Sequence, residues 1–194
     1  MRKIVAFENL TLDGVMQGPG HLDEDRRGGF EHGGWANAYA DEESMKAAAA
    51  GMAQTDAILL GRVTYAQFAT VWPNQPDNPF GAFLNATRKY VASRTLNEPL
   101  PWANSVLLAG DAADAVTRLR EEPGKNITIL GSGELVRSLL KRQLIDDLVL
   151  QIHPLVLGDG IRLFDGADEG VSKLQLVDSS TTSTGVVIAT YRPV

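Results

Sequence analysis

The 194-residue chain contains no cysteine. That absence excludes disulfides, a thiolate zinc site, an iron–sulfur cluster and a thiol nucleophile together. A chain of this length buries about 70% of its unfolded surface, so it needs no covalent staple. It has no basic block either: 18 Lys and Arg against 24 Asp and Glu leave a net charge of −6, which disfavours a nucleic-acid backbone as the main partner. No stretch approaches the ~18 consecutive apolar residues of a membrane span, and MRKIVAFENL passes straight into a strand pattern without the apolar core of a signal peptide. The expectation is a cytoplasmic protein whose partner is a small molecule, with no nucleic acid and no membrane. Repeats and low-complexity tracts are missing as well, so one domain over 1–194 is expected.

What the chain does have is concentrated between Asn126 and Phe164. Asn126 to Leu130 is a short β-branched run, and Gly131-Ser132-Gly133 breaks it. Glu134 to Arg142 then sets Leu135, Val136, Leu139 and Leu140 at helical spacing, and Leu144 to Val156 returns as a strand. This is a βαβ unit. A glycine turn feeding a helix leaves backbone N–H groups unpaired at the positive end of the helix dipole, which suits a phosphate. The alternative is a tight βα loop that binds nothing, since Gly-Ser-Gly is shorter than a full Gly-x-Gly-x-x-Gly fingerprint.

Upstream, Lys3 to Leu10 reads as a strand closed by the Asp13-Gly14 turn signal. Gln17 to Gly34 is a glycine-rich loop, long enough to act as a lid over a site. Its His21, Asp23, Asp25, Glu31 and His32 lack helical metal-ligand spacing and read as solvated polars, so no metal site is expected. Asp41 to Met52 is a helix with acids in its first turn. Asp56 to Leu60 is a buried strand, and Gly61-Arg62-Val63-Thr64-Tyr65 opens the next helix. Arg62 admits two readings, a phosphate ligand or a surface arginine. Phe80 to Thr87 is a short helix and Lys89 to Ala92 a strand, with Ser93-Arg94-Thr95 at its carboxyl end. Ser105 to Ala109 is a strand and Ala112 to Arg120 a helix; Lys173 to Val177 and Val186 to Tyr191 are late strands joined without a helix, which implies antiparallel pairing. Three strand ends, 61–64, 93–95 and 131–134, thus carry phosphate-compatible chemistry where open α/β sheets bind ligands. His153 reads as a hydrogen-bonded core or interface histidine, with catalysis the alternative. The Trp72-Pro73 and Pro101-Trp102 corners read as exposed and open to a two-fold contact.

Thr11-Leu12-Asp13-Gly14, Asp56 to Arg62 with Thr64-Tyr65, Val91 to Thr95, Gly131 to Leu135, and Leu144 to Leu148 running into Pro154 to Gly158 occur in one order. In that order the chain resembles the dihydrofolate reductase superfamily, in the branch of the reductase domain of the riboflavin-biosynthesis deaminase/reductase. The resemblance covers nearly the whole chain. It implies an α/β, three-layer dihydrofolate reductase-like fold with a mixed, mostly parallel central sheet, flanking helices and an antiparallel C-terminal strand. It also implies an NADPH-dependent reductase that transfers a hydride to a small heterocyclic metabolite, and a homodimer. Carried over, Gly61, Arg62 and Thr64 face the pyrophosphate and adenosine phosphate. Ser93, Arg94 and Thr95 take the 2′-phosphate, and Gly131, Ser132, Gly133, Glu134 and Leu135 cradle the pyrophosphate. Leu130 stands where that branch carries an acid that meets its phosphorylated substrate. Asp13 is the candidate polar group near the reacting centre, with a simple turn residue as its alternative. Dihydrofolate reduction and a non-catalytic NADPH-binding module are the competing functions.

Overall fold

The computed structural model describes residues 1–165 and 171–194. In chain order the elements are β1 (Ile4–Thr11), α1 (Glu42–Ala53), β2 (Thr55–Gly61), α2 (Arg62–Val71), α3 (Pro79–Ala86), β3 (Arg88–Ala92), β4 (Ser105–Leu108), α4 (Ala112–Glu121), β5 (Asn126–Leu130), α5 (Gly133–Lys141), β6 (Asp147–His153), β7 (Leu174–Thr181) and β8 (Val187–Pro193). The strands form one sheet in the order β4-β3-β2-β5-β1-β6-β8-β7. β4 through β6 pair in parallel, and β8 then pairs antiparallel with both β6 and β7. The mixed, mostly parallel sheet with an antiparallel end is the architecture expected above.

Strand alternation sorts the core into two layers. Ile4, Ala6, Ala57, Leu59, Ile127, Ile129 and Leu148 face Val116, Leu119, Leu135, Val136 and Leu139 of α4 and α5. Ile58, Leu60 and Val91 face Tyr65 of α2 and Leu84 of α3. Each aliphatic side chain fully buried in this way contributes about 1.5–3 kcal/mol. A lysine lies in the core. Lys89 is 0% exposed, and its ammonium donates to the Leu84 and Thr87 carbonyls at 2.7 and 2.8 Å and sits 4.4 Å from the Trp102 ring centroid. It thereby satisfies carbonyls that the end of α3 leaves without helical partners.

Two expectations are corrected. The strand read over Leu144 to Val156 is only Asp147–His153. Gln143 turns the chain at φ 56°, the Leu144 N–H closes back on Leu139 O at 2.9 Å, and Pro154 has no N–H to continue the ladder. The corners are exposed only at Pro73 and Pro101, not at their tryptophans: Trp102 is 4% exposed, with its indole N–H on Asn85 Oδ1 at 2.8 Å, and Trp72 packs edge-on against Phe68 and Phe80. The last two strands carry some of the exposed apolar side chains, Leu176, Val177 and Val187.

The sheet order also positions a crevice. From β1 the chain crosses over β5 to reach β2, whereas from β5 it crosses over β1 to reach β6. Two right-handed crossovers in opposite directions leave the sheet on opposite faces. The carboxyl ends of β1 and β5 therefore diverge, which is the switch point where such sheets bind ligands.

Candidate active site

The turns after β2, β3 and β5 lie side by side because β3, β2 and β5 are neighbours in parallel register. With a fourth turn, at Gly110 to Ala112 after β4, they line one cleft of about 1130 Å³ that continues past β1 to β6. Gly61, Arg62, Thr64, Ser93, Arg94, Thr95, Gly131, Ser132, Gly133, Glu134 and Leu135 all line it. Asp13 lies outside it.

The glycines of the β5 turn are required by geometry. Gly131 sits at φ 55°, and a Cβ there would stand 3.3 Å from Thr64 Cγ2; at Gly133 a Cβ would meet Met16 Sδ at 2.5 Å. Ser132, also left-handed at φ 64°, precedes α5, yet its hydroxyl does not cap that helix. The hydroxyl instead accepts the Gly61 N–H at 2.9 Å and donates to Leu130 O at 3.1 Å. Two separate strand ends are tied at one oxygen, and the Gly133 and Glu134 N–H groups find no partner among the described residues. α2 begins at Gly61, which has no side chain to cap it. Arg62 and Arg94 are exposed and make no ion pair among the described residues. The Ser93 oxygen accepts the N–H groups of Thr95 and Leu96 at 3.1 and 3.0 Å, which folds the β3 turn and sets the Ser93 and Thr95 hydroxyls 3.5 Å apart. Unpaired guanidinium groups, open helix starts and glycine backbone together fit an extended, multiply phosphorylated ligand.

Asp13 is fully occupied elsewhere. The Thr11 hydroxyl donates to it at 2.6 Å, Gly158 N–H at 2.9 Å and Leu157 N–H at 3.2 Å, and these hold its carboxyl down at about 2. The Arg162 guanidinium approaches the same carboxylate at 3.3 Å. Asp13 ties the end of β1 to the loop after β6.

The long loop forms the outer wall. Gln17 to Gly20, Asp25 and Arg27 face the cleft. The Gln17 amide donates to Asp25 O and Arg27 O at 3.2 and 2.9 Å and accepts Ile161 N–H at 2.9 Å, while Trp35 Nε1 donates to Gln17 O at 2.7 Å. Arg27 is paired with Asp25 at 2.6 Å.

At the inner end of the cleft stand polar residues that the motifs did not single out. Glu8 is 2% exposed, its Oε1 has no hydrogen-bond partner, and burial raises its carboxyl well above the usual carboxylate range. It follows Phe7↔Leu130, the last β1–β5 pair, so it stands where β5 gives way to the Gly131 turn. On the opposite face of the sheet, Asn9 and Gln151 are register partners, and His153 Nε2 lies 3.1 Å from Asn9 Oδ1. The His153 ring is held edge-on by Trp35 and Tyr39 at centroid distances of 5.1 and 5.5 Å. Burial lowers the imidazole to about 4, so it is neutral. Glu8 carried a signal in the sequence: it occupies the inward parity of Ile4, Ala6 and Leu10. Gln151 carried none, and His153, read above as a hydrogen-bonded core or interface histidine, finds its partner only where strand register brings it to Asn9.

Over residues 2–188 the chain matches the family of RibD C-terminal domains. It is 32% identical over 142 residues to the uncharacterized protein YyaP of Bacillus subtilis (strain 168), covering 71% of this chain and 74% of that one. Among solved structures it is similar to a protein from Shewanella sp. PV-4 assigned to riboflavin biosynthesis, with a TM-score of 0.74 and 22% identity over 99% of both chains. It is also similar to the dihydrofolate reductase from Enterococcus faecalis complexed with NADP(H), with a TM-score of 0.58 and 13% identity, covering 98% of this chain and 96% of that one. At those identities the two structures speak for the fold.

Proposed function

The chain belongs to the RibD C-terminal domain family, and on that footing we propose that it is an NADPH-dependent reductase of a small heterocyclic metabolite, working as one domain over 1–194. The observation that carries this reading is the convergence of the β2, β3 and β5 turns on one cleft that ends at a buried acid and a neutral histidine. Bound NADPH supplies the hydride.

The chain's own residues do the rest. Gly61, Arg62 and Thr64, with the turn from Gly131 to Leu135, hold the pyrophosphate through backbone N–H groups and one guanidinium. Ser93, Arg94 and Thr95 take the 2′-phosphate, which selects NADPH over NADH. The switch-point crevice between the ends of β1 and β5 receives the nicotinamide end, and the metabolite lies beside Asn9, Gln151 and His153. The loop wall from Gln17 to Arg27 excludes water, which hydride transfer requires. Glu8, rather than Asp13, is placed to hold a proton at the crevice: it is a neutral acid between the ends of β1 and β5, across the sheet from Asn9 and His153, whereas Asp13 has both oxygens engaged. A carboxyl kept protonated near neutral pH by desolvation suits general acid catalysis.

The protein is further proposed to act in the cytoplasm as a homodimer. No helix among the described residues is long and apolar enough to cross a membrane. β7 is an edge strand whose Leu176 and Val177 are 51% and 48% exposed, the kind of open apolar edge that a second chain covers. Sedimentation of the purified chain tests this, and a monomer at micromolar concentration refutes it.

The reductase reading is tested by NADPH binding and by its oxidation in the presence of pterins, aminopyrimidines and quinones. Arg94→Ala is expected to weaken NADPH about tenfold, the loss of one charge-assisted phosphate contact, and to leave NADH affinity unchanged. Equal NADPH affinity in the variant removes the 2′-phosphate assignment.

A further inference from the structure

The Glu8 side of the crevice and the phosphate turns account for the cofactor half of the cleft, but not for the amides on the other face of the sheet. Gln151 is 7% exposed, lines the cleft, and its side-chain amide makes no hydrogen bond among the described residues. His153 is 4% exposed and its Nδ1 has no partner. A buried imidazole nitrogen left without a partner costs about 1–3 kcal/mol, so the His153 Nδ1, beside a Gln151 amide that still reaches the cleft's solvent, marks a place where a ligand completes the bonding. Asn9 fixes the ring: its Oδ1 faces His153 Nε2 at 3.1 Å, which makes Nε2–H the donor and leaves Nδ1 as an acceptor.

The charges of the cleft lie elsewhere. Four arginines line it. Arg62 and Arg94 stand at the phosphate turns, Arg27 is paired with Asp25, and Arg137 donates to the Leu163 carbonyl at 2.9 Å. None of the cleft-lining residues on β1, on β6, on α1 or between Ala36 and Ala40 is a lysine or arginine. A phosphate or carboxylate placed against Asn9, Gln151 and His153 would surrender its hydration without a counter-charge, which buried anions do not tolerate. Aromatic rings at Phe7 and Tyr39 and small side chains at Ser44 and Ala48 shape the space for something flat.

We infer that the Asn9–Gln151–His153 end of the cleft binds the hydride acceptor as an uncharged planar nitrogen heterocycle, read through adjacent ring N–H and C=O groups, with no phosphate or carboxylate. This rests on the reductase reading and narrows it: a ligand that would set a phosphate or carboxylate against this end of the cleft is disfavoured.

The test uses matched pairs that differ by one anionic group: 6-methylpterin against pterin-6-carboxylate, and 5-amino-6-ribosylaminouracil against its 5′-phosphate. Each is titrated calorimetrically into the purified chain with and without saturating NADP⁺. At least one uncharged member is expected to bind, with its charged counterpart about tenfold or more weaker, and Gln151→Leu is expected to weaken the uncharged ligand while leaving NADP⁺ affinity within about twofold. A charged member that binds as tightly as its partner overturns the inference, as does failure of both uncharged members or an unaltered Gln151→Leu titration. Absence of NADP⁺ binding strikes the reductase reading instead, and the pairwise comparison without cofactor still decides the charge of the ligand.

Discussion

The Ser132 hydroxyl joins Gly61 to Leu130, accepting the Gly61 N–H at 2.9 Å while donating to the Leu130 carbonyl at 3.1 Å. One oxygen therefore fixes the separation of two strand ends that both line the cleft and that are proposed to hold the cofactor's pyrophosphate. Ser132→Ala leaves the Gly61 N–H without its partner in a half-buried site and keeps the left-handed backbone, so it should cost about 1–3 kcal/mol of stability. Ser132→Gly removes the same oxygen but relieves the positive φ, and is expected to be the more stable of the two variants. Both should weaken NADPH. Urea unfolding ranks the stabilities, and cofactor titration reads the second effect; a Gly variant with wild-type affinity would show that the bridge serves the fold alone.

Much of the fold was legible before any coordinates because its signals are local. Asp56 to Leu60 alternates into both core layers, and Gly61 ends the strand and opens α2, so β2 and the turn after it followed from adjacent residues. The order of the strands did not, since β1 pairs with β5 and β6 across more than a hundred residues of chain. The site divided in the same way. The three turns were visible as glycine, arginine and hydroxyl clusters at strand ends. The Asn9, Gln151 and His153 group exists only through β1–β6 register, and the tying role of Asp13 is invisible locally because its partners, Leu157, Gly158 and Arg162, lie on a loop about 145 residues away. Glu8 was legible in principle: a carboxylate at the apolar parity of a buried strand needs a reason.

Glu8→Gln tests that reason. A neutral amide of the same shape cannot deliver a proton, so kcat for NADPH oxidation is expected to fall by about 10²–10⁴, the span of a lost general acid, with NADPH affinity retained. Stability should move the other way. The folded-state carboxyl titrates well above its ordinary range, so the folded state holds more protons than the unfolded one above the unfolded value, and wild-type stability declines as pH rises through that window. The glutamine variant lacks this decline and should unfold at a higher temperature than wild type at neutral pH.

Asp13→Asn separates a turn residue from a catalytic one. The carboxylate accepts from Thr11, Leu157 and Gly158, and an amide presents only one acceptor oxygen to the same donors. A loss of about 1–3 kcal/mol in urea unfolding is expected, with kcat of the folded fraction within a factor of about two. The wild-type group is held at about 2, so its contribution is full above the ordinary carboxylate value and drains away as pH falls toward 2. The asparagine variant should therefore show a smaller loss of stability between neutral and strongly acidic pH. A collapse of kcat with unchanged unfolding would restore Asp13 to the chemistry.

His153 sets an acid limit of a different kind. Its imidazole is buried against Trp35 and Tyr39 and titrates at about 4, below its ordinary 6.5. Between those values the unfolded chain takes up a proton that the folded chain refuses, so stability falls as pH drops below about 6.5 and stops falling from this source near 4. The slope has a ceiling of about 1.4 kcal/mol per pH unit for a single group. Glu8 works against it, because a raised carboxyl gains relative stability as pH falls through the same range. The two are separated by variants: His153→Asn keeps a neutral hydrogen-bonding side chain beside Asn9 and abolishes the titration, so between pH 7 and 5 it should lose less stability than wild type, and in the Glu8→Gln background wild-type His153 should show its full slope. Parallel urea midpoints for wild type and His153→Asn across that range would mean that the histidine is already solvated and that the inner end of the cleft is open to water.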